Sequence, residues 1–414
     1  MSINRRKALG LIGSALAAPT GLRPRPARAD TITPIGSPRR VDPSLPGSTS
    51  NPVAAAFEDG RFVIAFNQND AGIGRAFARW FDADGAPLGP SEQVGGDHAF
   101  VTGPVGFPDG RTIVVYGQDD GSGNFADLFG QRFRANRTPL GKPFLINVTR
   151  PGLQIGLPPV LLANGNWVQT WTDSNRQNVF GRVLEPTGVP VTNEKVLASG
   201  TGNIAAALDG FGNNLLLAYQ NPGPSGTNYR AQLLSRHLNR IGGRLNAGST
   251  GIPFATRPIA SVAPGGGTDA LILRADEKNG QSSIFGRVFA DGDLVDTFTI
   301  SDKNNLFAFS PAIKAARIGD TDSIVVALAE KRSGSSGDRY FVGGRIITPD
   351  GVPTTPLVNL SGNHTNPGTR PDSIVKLSGP PVDNPYLLTF TGGRDPLLPT
   401  IADAFYGLLG FGIE

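Results

Sequence analysis

A unit of roughly fifty residues recurs seven times along this 414-residue chain, and nothing else in the sequence restricts its fold as tightly. Each copy opens with a small-residue segment. A short apolar run, a polar turn, an alternating run and a Gly/Pro turn follow in the same order. The opening segments are Pro52–Phe57, Pro104–Phe107, Pro159–Leu162, Asn203–Leu208, Pro258–Val262, Pro311–Ala316 and Pro371–Lys376, at spacings of 52, 55, 44, 55, 53 and 60 residues. Six of the seven begin with proline, which suits the first residue of a strand, where no ladder donor is needed. The apolar runs, among them Phe62–Phe66, Thr112–Tyr116, Trp167–Trp171, Leu215–Tyr219 and Tyr386–Phe390, are short, rich in β-branched and aromatic residues, and bounded by Gly, Asp and Asn. They read as strands apolar on both faces, as in a sheet packed between two other sheets. The predicted fold is all-β: a seven-bladed β-propeller of four-stranded blades, with small residues on the innermost strands where the blades converge.

The two ends of the chain fit that ring. The last copy stops soon after its third strand and lacks a fourth. Near the amino terminus, Thr33-Pro34-Ile35-Gly36 through Val41 repeats the fourth-strand pattern of Ala86-Pro87-Leu88-Gly89 through Val94 and Thr138-Pro139-Leu140-Gly141 through Ile146. Residues 33–41 are therefore expected to complete the last blade and leave no open edge. An open, linear array of hairpins is the alternative.

Residues 1–29 read as an address. Asn4-Arg5-Arg6-Lys7, a modest apolar stretch over Ala8–Ala18 and an Ala27-Arg28-Ala29 site resemble a bacterial twin-arginine (Tat) signal peptide, with Ala8 where a Phe is common. The resemblance implies export to the periplasm or beyond, and a propeller domain over 30–414. A basic tail on a cytosolic domain is the competing reading. The apolar stretch is too short for a permanent span, and no longer one follows, so no transmembrane segment is expected. The leader also changes the meaning of the charge. The chain carries a formal +4, but residues 1–29 hold six basic residues and no acidic one, leaving −2 for the remainder. With no Lys/Arg run interleaved with aromatics, nucleic acid is not expected as a partner. The absence of cysteine excludes disulfides, thiolate chemistry and Cys-ligated metal. A monomer is expected.

Chemistry is sought on the face where the turns between second and third strands gather. These turns are polar, and the candidate ligand-binding residues are Asp70, Asp120, Trp171, Asp173, Tyr219, Asp276, Glu330 and Asp395. Carboxylates and amides there could accept sugar hydroxyls, and Trp171 and Tyr219 could stack on a sugar or an apolar group. Ordinary turn chemistry explains each residue singly. Asp120, Ser122 and Asn124 place oxygen donors at alternate positions and form a calcium candidate, although the distal glutamate of an EF-hand is missing. The histidines, His98, His237 and His364, fall in different copies without metal-ligand spacing.

Residues 120–147 and 180–196 resemble the repeats of large bacterial secreted and RTX-type surface proteins, through Asp127, Gln131, Arg132, Phe133, Gly141 and Asn147. That resemblance implies a secreted propeller-like β-repeat and no defined activity. Two function classes follow. The first is a non-enzymatic scaffold binding a glycan, a peptide or an envelope protein. The second is a carbohydrate-active enzyme, a polysaccharide lyase or glycoside hydrolase, at the same loop face.

Overall fold

The computed structural model describes residues 29–119, 126–149, 152–173, 178–199, 206–211, 214–223, 226–250, 259–262, 270–278, 281–290, 293–300, 313–318, 323–334, 337–349, 351–362, 369–378, 385–395 and 398–413. The described residues form seven antiparallel sheets and no helix. The chain is a seven-bladed β-propeller of four-stranded blades, as the repeats predicted. In the first six blades the chain runs from the inner strand outwards through the second and third strands to the fourth. The inner strands are Ser48–Ala56, Ala99–Gly106, the split pair Gln154–Gly156 and Val160–Leu161, Ala206–Phe211, Ile259–Val262, Ile313–Arg317 and Arg370–Lys376. They neighbour one another in that order, and the last also meets the first.

Packing explains why the second strands are apolar throughout. Phe62, Ile64 and Phe66 of blade 1 enter a core shared with Leu377, Leu387, Ala404 and Tyr406 of blade 7. The intervening Val63 and Ala65 enter the core shared with Val101, Val114 and Tyr116 of blade 2. With a period of two, both faces of one strand are buried, each against a different neighbour. The described residues fall into seven such cores, one at each seam, including the seam between the last blade and the first.

The Gly-Arg pairs of the third strands have two separate tasks. At Gly286 a Cβ would collide with the Phe298 ring of the neighbouring outer strand, and at Gly344 with Leu360; the absence of a side chain lets those residues cross over the sheet. The arginine that follows reaches back to the preceding blade. Arg182 Nη1 donates to the Ile146 carbonyl at 2.8 Å, Arg287 to Asn246 at 2.9 Å and Arg345 to Ile300 at 2.8 Å; Arg79 makes the same reach to Val41 at 2.7 Å. Each ties a third strand to the end of the previous blade's outer strand. In blades 2 and 4 the position holds Gln131 and Gln232, which are too short for that reach and bond to carbonyls of their own hairpin.

The fourth strand of blade 7 comes from the amino terminus. Ala29–Arg40 pairs antiparallel with Leu398–Ile413, with Thr33 opposite Gly410, Ile35 opposite Leu408 and Arg40 opposite Phe405. The Val41 amide continues the pairing to the Ala404 carbonyl at 2.9 Å. Ala29 and Ile32 pack into the seam of blades 6 and 7, and Val41 into the seam of blades 7 and 1.

Candidate functional site

The second-to-third turns do share one face, since every second strand runs toward it. The candidate residues fare differently there. Asp70 ends the second strand of blade 1 at a tight turn and is partly exposed. Asp173 ends the corresponding strand of blade 3 and is fully buried, its backbone lying between Gln154 and Asn178. Asp276, Glu330 and Asp395 lie in the outgoing halves of their second strands. Asp120, Ser122 and Asn124 lie outside the described residues, and with them the calcium candidate. Among the described residues no group of three His, Asp or Glu side chains could hold a metal ion.

The two aromatic candidates face the seams. Trp171 has no exposed surface, stacks on Phe180 at 6.0 Å between centroids and belongs to the core of blades 2 and 3. Tyr219 is 3% exposed and sits in the core of blades 3 and 4. Both rings supply packing, because a second strand has neighbours on both faces, and neither is presented to a ligand on the loop face. His98 takes a left-handed backbone (φ 65°) beyond the short outer strand of blade 1; its amide donates to the Gly74 carbonyl at 2.7 Å. His237 is exposed in an outer turn, where its ring accepts a bond from Arg236. His364 lies outside the described residues.

A different group of polar side chains converges on the inner strands of blades 6, 7 and 1. Arg370 opens the inner strand of blade 7 opposite Thr391, and Asp372 sits on a β-bulge between Pro371 and Ser373. Bulges re-aim a side chain that the regular pleat would send elsewhere. Here the Asp372 carboxylate accepts from the Thr391 hydroxyl at 2.6 Å and lies 3.4 Å from Arg370 Nε. Asn51, on the matching bulge of blade 1, holds a left-handed backbone (φ 50°), a strained conformation for a residue with a side chain. Its amide donates to Thr391 Oγ1 at 3.1 Å, and its side-chain oxygen accepts from Arg370 Nη2. Lys314 projects from the inner strand of blade 6 within electrostatic range of both Asp372 and Arg370. Lys314, Asp372 and Arg370 retain partial exposure on these inner strands.

Burial governs the ionisation of this group. It pushes the Asp372 carboxyl above the usual carboxylate range, against the opposing pull of Arg370, Thr391 and Lys314. It pushes the Lys314 ammonium below the usual lysine range, and Arg370 adds to that while Asp372 opposes it. Two groups with opposed, burial-driven shifts beside a strained backbone mark this seam as the candidate site. The sequence did hold a signal for it. The opening segments are small and uncharged in the first five copies, and only PAIKAA and PDSIVK carry charge.

Clefts among the described residues also lie elsewhere. One lies between the outer turns of blades 1 and 2, walled by Trp80, Leu88, Pro90, Arg137 and Pro139. Its one guanidinium, that of Arg137, donates to the Leu88 carbonyl, so the cleft is the space left where one turn docks on the next blade.

No protein-family profile and no curated protein matches this chain. Among solved structures it is similar to a protein of unknown function from Dyadobacter fermentans, with 10% identity over 93% of this chain and 99% of that one, at a TM-score of 0.47. The endosialidase of phage phi92 shares 10% identity over 93% of this chain and 70% of that one, at 0.48. A neuraminidase-like protein from A/bat/Guatemala/164/2009 shares 12% over 74% and 92%, at 0.45. At such scores these likenesses assign no ligand and no activity to this chain.

Proposed function

We propose that this protein is an exported, non-enzymatic binding scaffold that takes a glycan or peptide end at the channel mouth, on the face of the second-to-third turns. The observation that carries this reading is the convergence of Asn51, Lys314, Arg370 and Asp372 from three successive inner strands. The face that carries Asp70 lies only a few residues away along the strands, about 3.3 Å per residue. A binding role is favoured over hydrolysis by the carboxylate inventory of the group. Asp372 is its one carboxylate, and both oxygens are engaged, by Thr391 and by Arg370. Glycoside hydrolysis uses a pair of carboxylates with separate tasks.

The chain contains no cysteine, so a single introduced one can be capped selectively. Ala71 is exposed in the turn beside Asp70, and Asn136 is exposed in a third-to-fourth turn on the opposite face. A bulky maleimide polymer on Ala71→Cys is expected to abolish capture of the protein on glycan and peptide arrays, and the same polymer on Asn136→Cys to leave it intact. Equal loss from both faces, or loss only from Asn136→Cys, would move the site. Turnover of an anionic polysaccharide by the purified protein would replace binding with catalysis.

Export belongs to the same proposal. Arg5→Lys combined with Arg6→Lys is expected to hold the protein in the cytoplasm, while the wild type is recovered outside it with Asp30 as its first residue. Fractionation and amino-terminal sequencing read both points. Unchanged export of the double variant would retire the twin-arginine assignment.

A further inference from the structure

We infer that the seam of blades 6, 7 and 1 is a carboxylate-binding site, in which Lys314 and Arg370 together hold the single anionic group of a ligand entering the central channel. The inference rests on the binding-scaffold reading and adds the chemical class of what is bound.

Three ionisable side chains meet here, two cationic and one anionic, on inner strands that carry no charged residue in blades 1, 2, 3 and 5. A propeller therefore does not need charge at these positions to fold. The anion is already committed, since one oxygen of Asp372 accepts from Thr391 at 2.6 Å and the other faces Arg370 Nε at 3.4 Å. Arg370 spends Nη2 on Asn51. That leaves Arg370 Nη1 and Lys314 Nζ, neither of which has a hydrogen-bond partner among the described residues. Two donors of like charge within electrostatic range of each other on neighbouring inner strands repel unless an anion lies between them. Burial pulls the Lys314 ammonium below the usual lysine range and Arg370 adds to that, so an anion bound beside it would oppose both effects.

The residual charge of the group is one positive unit. It matches a carboxylate better than a phosphate dianion, which would leave the site over-compensated. A guanidinium edge with an ammonium beside it presents two charge-assisted donors to one carboxylate. Asn51 contributes orientation: its left-handed backbone and its bond to Arg370 fix the plane of the guanidinium. A uronic acid and a peptide carboxyl both present this chemistry.

The test uses the full chain and four probes followed by ligand-observed NMR: D-glucuronate, its uncharged methyl ester, glucose and N-acetylalanine. Binding of glucuronate, of N-acetylalanine or of both is expected, with the ester at least about tenfold weaker than the acid, which is about 1.4 kcal/mol. Preference between the two acids identifies the source of the carboxylate. Lys314→Met is expected to weaken the preferred acid about tenfold at an unchanged melting temperature, with Lys314→Gln as the second variant should Met fail to fold. Asp372→Asn removes the competing charge and is expected to tighten binding. Equal affinity for acid and ester overturns the inference, as does unchanged affinity in the folded Lys314 variants, or no binding of either acid at about 10 mM. Binding of glucose and ester as tight as that of the acid, blocked by the polymer on Ala71→Cys, overturns the carboxylate assignment and leaves the binding face standing.

Discussion

Deleting residues 30–42 is expected to abolish cooperative unfolding of the entire ring, not to fray one end of it. The strand Ala29–Arg40 contributes the outer edge of blade 7, but its side chains serve two seams. Ile32 is buried between blades 6 and 7, and Val41 between blades 7 and 1. Losing each forfeits about 1.5–3 kcal/mol of burial. The deletion also strips Arg40 from Asp403, whose side chain is completely buried; breaking a buried ion pair by removing one partner costs about 3–5 kcal/mol. It further removes Asp42, which accepts from the Ser44 amide at 2.9 Å and from the Ser91 hydroxyl and lies 3.3 Å from Arg79, the arginine that ties blade 1 to the amino-terminal strand. Together these losses reach about 6–11 kcal/mol, comparable with the whole stability of a typical domain. Circular dichroism melting and amide exchange read the outcome. A deletion variant that melts as the wild type does would show the strand to be dispensable. Exchange confined to blade 7 would show the blades to be independent.

Asp42 adds a pH dependence to the same seam. Burial alone would raise its carboxyl, but the bonds from Ser44 and Ser91 and the charge of Arg79 outweigh burial and hold it below the usual carboxylate range. Its folded-state value is thus depressed. The stability it contributes is complete above the unfolded value, about 4, and is lost as the pH falls through the folded one. The amino-terminal junction accordingly keeps this contribution through the ordinary carboxylate range and loses it only at lower pH.

Much of this architecture is legible in the residues because a propeller repeats its constraints. A turn of Pro, Leu or Ile, and Gly followed by a β-branched residue marks the fourth strand in three copies, so the one at Thr33–Val41 could be paired with a third strand more than 360 residues away. The structure extends that pairing back to Ala29. What sequence alone does not reveal is parity. An aromatic at a strand end reads equally well as a ligand platform or as core. Trp167 and Trp171 share the parity that faces blade 2, while Val168 faces blade 4, so a second strand in this fold has no free face for a ligand. The polar group on the inner strands is obscured for the opposite reason. Arg370-Pro371-Asp372 follows the strand pattern of the other copies, and only the bulge at Asp372, which a linear pattern does not display, turns the carboxylate toward Thr391 and Arg370.

The pair of Arg40 and Asp403 separates the contribution of charge from that of packing at the closing blade. Arg40 Nε lies 2.9 Å from one Asp403 oxygen, while Nη2 donates to the other at 3.1 Å; Asp403 also accepts from Thr49 Oγ1 of blade 1 at 3.3 Å. The same threonine accepts from the Ala404 amide at 2.8 Å, so the carboxylate sits in a network that spans the seam. Arg40 is one-fifth exposed and Asp403 is wholly buried, so the two single variants are not equivalent. Arg40→Met keeps much of the aliphatic volume but removes the ion-pair partner of a buried carboxylate, and is expected to cost about 3–5 kcal/mol. Asp403→Asn leaves a guanidinium that can turn toward water while the amide oxygen still accepts from Thr49, and is expected to cost about 1–2 kcal/mol. The double variant, Arg40→Met with Asp403→Asn, has no buried charge. It is expected to recover about half of the loss of Arg40→Met and to be more stable than that single variant by about 2 kcal/mol. Urea unfolding of the four proteins gives the coupling directly. Additive losses would show that the strand is held by its backbone ladder and its two seam hydrophobes alone. A positive coupling would show instead that the buried carboxylate makes Arg40 obligatory, and so fixes which strand can occupy the last edge of the ring.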